Sequence, residues 1–141
     1  MDRLSEEIAI EEKSIETTLK LLEETLNRPG QSAIEFSAIG SFMHHCYTGM
    51  ENIIKRILKF RKVKIRDSVS SHKDLLNIAV HENLISQDLS DKLDKYRGFR
   101  HFFTHAYGFM LEEEKLRPLA SNLSKAWEQF KQEIDNTLDQ S

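Results

Sequence analysis

The sequence predicts an all-α protein, an up-and-down bundle of about five helices. Apolar residues recur at steps of three and four along most of the chain, and no segment alternates as a half-buried strand would. With 5 Gly and 2 Pro, the chain also has little material for the many turns of an all-β fold. Its 141 residues suffice to close one hydrophobic core, so we expect a single domain spanning residues 1–141.

The first two helices are predicted by an apolar stripe and by a capping pattern. The stripe covers residues 4–26 and ends at an Asn-Arg-Pro-Gly sequence. Ser32, followed three residues later by Glu35, then forms a capping box that opens a long central helix. Gly40 and Gly49 lie inside this helix, where each costs roughly 1 kcal/mol relative to alanine. We therefore expect another helix to approach closely there.

Cap patterns and a proline predict where the remaining three helices begin. Ser71 and Asp74 form a cap pattern that begins a short third helix. Ser86 or Ser90 begins a fourth, which carries leucines and aromatic residues on one face. Pro118 suits the first turn of the last helix, whose apolar stripe is regular.

The charge distribution is uneven. A net charge of −3 argues against a protein that coats nucleic acid by bulk electrostatics. One segment is nevertheless basic throughout: Lys55, Arg56, Lys59, Arg61, Lys62, Lys64 and Arg66. Two interpretations of this cluster stay open: the cations stabilise the negative end of a helix, or they bind phosphate. Under the second, the candidate RNA contacts are Lys55, Lys59, Arg61 and Lys62.

Cys46 is the only cysteine, so no internal disulfide can form. The acidic N-terminus has no basic-then-apolar leader, and no apolar run approaches the roughly 20 residues that span a bilayer. We expect a cytoplasmic protein that is not inserted in a membrane.

The stretch from Tyr96 to Tyr107 concentrates the groups that could carry chemistry. Arg100 can bind phosphate oxygens bidentately, and His105 can gain or lose a proton near neutral pH. His101 and Arg97, together with Tyr96, would support them. These groups suffice for metal-free cleavage of RNA, in which His105 assists attack by the ribose 2′-hydroxyl and Arg100 stabilises the phosphoryl oxygens.

Helix geometry leaves the arrangement of this pair open. Arg100 and His105 lie about 140° apart around an ideal helix. Three arrangements could bring them together: a distorted helix, an arginine side chain that reaches across the helix, or a symmetric partner chain that supplies the second residue. We favour the third, a homodimer. Two other interpretations remain. In the first, Arg100 and His105 are satisfied polar groups at an interface. In the second, His101 and His105 are a zinc pair, but no third ligand is evident and we expect no metal.

The motif from Arg100 to Tyr107 resembles the signature of the HEPN superfamily, in which Arg, four residues, His, one residue and Tyr follow one another. Segments 42–53 and 96–103 are similar to the same group, and within it to HepT-like toxins paired with MNT-type nucleotidyltransferase antitoxins. The resemblance implies a homodimeric, cofactor-free endoribonuclease with Arg100 and His105 catalytic at the dimer cleft. It also implies that the antitoxin attaches AMP to Tyr107. An assembly of the dimer with the antitoxin is compatible with this scheme.

Two other function classes fit the same sequence. One is a noncatalytic HEPN module that binds nucleotides or RNA, or docks a nucleotidyltransferase. The other is a plain helical assembly protein, against which the basic segment and the intact Arg–His pair argue.

Overall fold

The computed structural model describes residues 2–29, 32–65, 71–105 and 113–139, with the side chains of residues 2, 33, 71–73, 100–105 and 113–115 outside the description. Within these ranges it contains five helices and no strand, which confirms the predicted all-α bundle. The helices are α1 (Asp2–Leu26), α2 (Ala33–Phe60), α3 (Ser71–His81), α4 (Gln87–His105) and α5 (Glu113–Asp139).

Two helix starts follow the predicted caps. Ser32 is the N-cap of α2: the Glu35 amide donates to its hydroxyl at 3.4 Å, and the Ser32 amide donates to the Glu35 carboxylate at 3.3 Å. At α4 the hydroxyl of Ser86 accepts from the amide of Leu89 at 3.1 Å. Ser86, and not Ser90, is therefore the residue that begins this helix.

The prediction for Pro118 is wrong. Helix α5 begins at Glu113, so Pro118 lies inside the helix instead of in its first turn. Leu116 is buried and continues the apolar stripe to the N-terminal side of the proline, which explains why the helix starts earlier. The helix tolerates a missing amide donor at this point because packing of the stripe outweighs it.

Two helices end in Schellman motifs with a non-glycine residue in the left-handed region. At the end of α2, Lys62 has φ 62° and the Val63 amide donates to the Leu58 carbonyl at 2.9 Å. At the end of α3, Asn83 has φ 61° and the Leu84 amide donates to the Ala79 carbonyl at 2.8 Å. Both turns direct the chain back towards the bundle.

One core joins all five helices in the described part of the chain, and its largest fully buried side chains include Trp127, Tyr47 and Phe130. Helices α1 and α2 pack closely at Gly49. A Cβ atom added to Gly49 would lie 2.6 Å from Cγ1 of Ile15. The close helix approach expected at this glycine is confirmed.

Side-chain contacts define the two ends of the bundle. At one end, α2, α3 and α5 terminate together: Arg61 of α2 donates to the carbonyl of Glu82 at 3.2 Å, and Thr137 of α5 donates to the carbonyl of Asn83 at 3.1 Å. At the other end, Arg117 of α5 lies over the ring of Phe36 of α2, with 6.0 Å from its Cζ atom to the ring centroid. We call the first the α2-terminal end and the second the α2-initial end.

Candidate functional site

Helix α4 runs antiparallel to α5 and carries the Arg100–His105 segment to the α2-initial end. Its first residues lie at the α2-terminal end, where Ser86 donates to the carboxylate of Glu133 at 2.9 Å. Its later residue Tyr96 donates to the carbonyl of Leu119, near the start of α5, at 2.7 Å. Residues 97–105 continue beyond that contact as uninterrupted helix.

The continuous helix narrows the alternatives for the Arg–His pair. Because the backbone is helical through residue 105, positions 100 and 105 lie about 140° apart around the axis. A break in the described part of α4 therefore does not bring them together. The side chains of Arg100, His101 and His105 lie outside the described residues, as does Tyr107 with its neighbours 106–112. Their assignments, the zinc pair included, stay predictions.

Tyr96, predicted to support the site, is a core residue. Its side chain is 3% exposed, its hydroxyl donates to the carbonyl of Leu119, and burial raises the pKa of the phenol to about 12. A phenol with that pKa stays protonated at neutral pH and does not act there as a base. Tyr96 instead ties α4 to α5.

Arg97, the other supporting residue, makes a local ion pair. Its Nε donates to Oδ1 of Asp94 at 2.6 Å, and the two side chains are 32% and 33% exposed. The pair spans less than one turn of α4 and leaves both groups in contact with solvent. Arg97 is therefore placed on the same helix as Arg100 but is partly neutralised by Asp94.

The described part of the basic segment, residues 55–64, spans the end of α2 and the turn after it, and divides into cations that line one groove and cations that pair elsewhere. Lys55, Lys59, Lys62 and Lys64 line a groove of about 480 Å³. Arg61, predicted to join them, instead donates to the Glu82 carbonyl, where it neutralises the negative end of α3. The structure thus brings three of the four candidate RNA contacts together, and adds Lys64.

This lysine groove lies far from the Arg100–His105 segment in one protomer. It belongs to the α2-terminal end, close to the point where Arg61 reaches the turn before α4. From Gln87 to Arg100 the axis of α4 rises about 20 Å. A short ligand at Arg100 would therefore not reach the α2 lysines of the same chain.

Two features were not predicted from the sequence. The first is Glu51, which is 2% exposed on α2 although it is a carboxylate. A buried carboxylate requires compensating contacts. The sequence did contain a signal for this burial, because Glu51 falls on the apolar stripe of α2, four residues after Tyr47. The second is a groove of about 310 Å³ between α4 and α5, lined in part by Lys92, Lys95 and Lys125.

Comparison with protein families now identifies the chain. Residues 38–140 match the model of a family described as HepT-like protein, and this range includes α4 and the whole Arg100–Tyr107 motif. The chain belongs to the HepT-like protein family. The family predicted from the sequence, and with it the HEPN-like helical fold, is confirmed. Comparison with curated protein sequences gives no significant match.

Solved structures share the fold of this HepT-like chain. Two are mutant forms of the toxin-antitoxin MntA-HpeT: one is 20% identical with a TM-score of 0.78 and covers 92% of this chain and 98% of the other. The second is 23% identical with a TM-score of 0.69 and covers 91% and 94%. YutE, a cytosolic protein of unknown function from Bacillus subtilis, is 22% identical with a TM-score of 0.67 and covers 91% and 90%. At these identities the likeness concerns the fold.

The helices of this HepT-like chain are all amphipathic to some degree. None of those in the described ranges is both long enough and apolar enough to span a bilayer. The described residues also contain no cluster of three or more histidine, cysteine or carboxylate side chains arranged to hold a metal ion.

Proposed function

We propose that this HepT-like protein is the ribonuclease toxin of a toxin–antitoxin pair and that it cleaves RNA without a metal. The observation that carries the proposal is the family match, which covers the Arg100–Tyr107 motif; residues 100–105 of this motif form the end of α4. The fold shared with the toxin-antitoxin MntA-HpeT supports a role in such a pair.

The proposed reaction needs only a base, an acid and a stabilised phosphate. His105 takes the proton of the ribose 2′-hydroxyl as that oxygen attacks the adjacent phosphorus. The bond from phosphorus to the 5′-oxygen breaks, and a protonated imidazole returns a proton to the leaving oxygen. Arg100 stabilises the charge on the phosphoryl oxygens. The products are a 2′,3′-cyclic phosphate and a 5′-hydroxyl, and DNA, which lacks the attacking hydroxyl, is not a substrate.

A homodimer is part of this proposal. Positions 100 and 105 lie on different sides of a continuous α4, so a two-fold axis beside the helix would let one copy supply the arginine and the other the histidine. This arrangement requires no distortion of α4.

Tyr107 is the proposed regulatory position. A cognate MNT-type nucleotidyltransferase would attach AMP to its hydroxyl, and the added phosphate and bulk would occupy the space that RNA needs beside Arg100. Modification would then silence the toxin without unfolding it.

Lys55, Lys59 and Lys62 are proposed as contacts for longer RNA. They form a cationic groove with no acidic residue among its described lining, as phosphate binding requires. Arg61 is less suited to this role because its guanidinium already contacts the Glu82 carbonyl.

Cleavage assays with purified protein in EDTA test the proposal. We expect the wild-type protein to cut RNA and His105→Ala to lose the activity while its melting temperature is retained. His81→Ala, an exposed histidine at the end of α3, is the matched control and should cut normally. Equal cutting by His105→Ala would move the activity elsewhere, and nucleotide or RNA binding without any cutting would favour a noncatalytic module.

For regulation, Tyr107→Phe should resist transfer of AMP by the cognate nucleotidyltransferase, whereas unchanged transfer would remove Tyr107 from this role.

A further inference from the structure

The groove between α4 and α5 is a cationic surface built by two consecutive helices that pack antiparallel. Lys92, Lys95 and Tyr96 line it from α4, and Asn122 and Lys125 do so from α5, with Pro118, Leu119 and Ala126 as the apolar part of its wall. No acidic residue is among the described lining. Its volume of about 310 Å³ is at the small end of ligand sites, which suits a nucleotide-sized group.

The three lysines differ in how freely they could meet an anion. Lys92 is engaged: its ammonium lies 3.2 Å from Asp88 and donates to Gln129 at 2.9 Å. Lys95 and Lys125 are exposed and form no ion pair with any residue that the structure describes. Two exposed ammonium groups that line one groove, and that pair with no carboxylate the structure describes, favour an anionic ligand.

The groove leads towards the Arg100 position. Lys95 precedes Arg100 by five residues, a rise of about 8 Å along α4, and lies about 140° from it around the axis, so an RNA strand must curve around α4 to meet both. Tyr96, which lines the groove, precedes position 100 by four residues, which places the two within about 40° around the axis. The α2 lysine groove, by contrast, lies at the opposite end of the bundle.

We propose that the α4–α5 groove binds the phosphates of single-stranded RNA that extends from the Arg100 position, with Lys95 and Lys125 as the main contacts. Asn122, whose amide nitrogen donates one hydrogen to the Pro118 carbonyl at 2.9 Å, has a second N–H to offer the strand. This inference rests on the proposed function and deepens it, because it names the path of the substrate. Its polar part is made of lysines and an amide, so it reads the backbone and not the base sequence. The bound RNA should accordingly show little sequence preference along this stretch.

Binding of a short 2′-O-methyl oligouridine tests the inference independently of cleavage, since this RNA lacks the attacking hydroxyl. The variant is the full-length double substitution Lys95→Gln/Lys125→Gln. Each lost lysine–phosphate contact lowers the slope of log affinity against log salt by about 0.7 for a single strand. We expect the slope to fall by about 1.4, so that a fourfold rise in salt weakens the wild-type complex roughly sevenfold more than the complex of the variant.

The double substitution Lys13→Gln/Lys20→Gln is the matched control, because it removes the same charge from exposed positions on α1. It should leave the salt slope within error of the wild type, and both double variants should keep the wild-type melting temperature. An unchanged slope in Lys95→Gln/Lys125→Gln overturns the inference, as does an equal fall in both variants. So does a variant that binds RNA normally and loses only its association with the nucleotidyltransferase.

The two proposals fail in distinguishable ways. If the wild-type protein cuts no RNA but the groove variant still loses salt-dependent binding, the nuclease proposal fails and the groove stands. If the wild type cuts RNA and the groove variant binds and cuts it equally well, the groove inference fails and the nuclease proposal stands.

Discussion

Replacing Gly49 with alanine should destabilise the bundle, although alanine is the better helix former. The new Cβ atom would lie 2.6 Å from Cγ1 and 2.8 Å from Cδ1 of Ile15, well inside van der Waals contact. Ile15 is 0% exposed, so it cannot swing into solvent. Either Ile15 leaves its rotamer or α1 moves away from α2.

The magnitude follows from two opposing contributions. Overpacking of a well-packed core costs about 1–3 kcal/mol, whereas the change from glycine to alanine within a helix gains about 1 kcal/mol. We expect a net loss of about 1 kcal/mol in the free energy of unfolding, with a fall of roughly 4 °C in melting temperature for a domain of this size.

Urea and thermal denaturation followed by circular dichroism measure this change, with Gly98→Ala as the matched control. A Cβ atom at Gly98 meets no heavy atom of the described structure within 4 Å, so this substitution should stabilise by about 1 kcal/mol. In an Ile15→Ala background, Gly49→Ala should cease to destabilise because the clashing atoms are gone. Stabilisation by Gly49→Ala equal to that of Gly98→Ala would refute the close packing of α1 on α2.

Four further predictions concern other parts of the bundle. Lys62→Gly should raise the free energy of unfolding by about 1 kcal/mol in urea denaturation because Lys62 has φ 62°, whereas Lys64→Gly should not. A hydrogen bond from Lys131 lowers the pKa of Glu16 below 4.5. The ionised Glu16 therefore stabilises the fold above that pH, and this contribution is lost as the pH falls through the folded pKa. Glu16→Gln should lower the melting temperature at pH 7 and have no such effect in acid. Burial raises the pKa of Glu12 above 4.5, so ionisation opposes folding as pH rises past 4.5, and Glu12→Gln should raise the melting temperature at pH 7 but not in acid. Burial raises the pKa of Cys46 to about 12, so a thiol reagent at pH 8 should label it only as fast as the protein unfolds, and rapid labelling of the folded protein would contradict its burial.

Local sequence signals predicted the helices well because capping and amphipathicity are local. The capping box at Ser32 and Glu35 and the apolar stripes of α1 and α2 appear in the structure as expected. The start of α5 was misplaced because Pro118 is the strongest local signal there, whereas packing of the buried Leu116 is a tertiary effect. Element boundaries thus depend on the fold where a local breaker competes with core packing.

The candidate site was harder to predict because helix faces and helix pairing decide it. The basic segment at the end of α2 is continuous in sequence, yet Arg56 pairs with Glu7 of α1 and Arg61 contacts the end of α3. Lys95 and Lys125, in contrast, are thirty residues apart and share one groove only because α4 packs antiparallel to α5. No local pattern contains that pairing.

The two lysine grooves occupy different positions along the bundle, and this separation has a consequence for the substrate. Lys95 of the α4–α5 groove lies about 8 Å from the Arg100 position along the helix axis and about 140° from it around the axis, whereas the α2 lysines lie near the start of α4, about 20 Å away. A short RNA that curves around α4 from Arg100 could therefore meet Lys95 but not Lys59 of the same protomer. If both grooves contact one strand, the salt dependence of binding must increase with RNA length in two steps, first when the RNA reaches the α4–α5 groove and again when it reaches the α2 lysines. Substitution of Lys55 and Lys59 must then affect only the second increase.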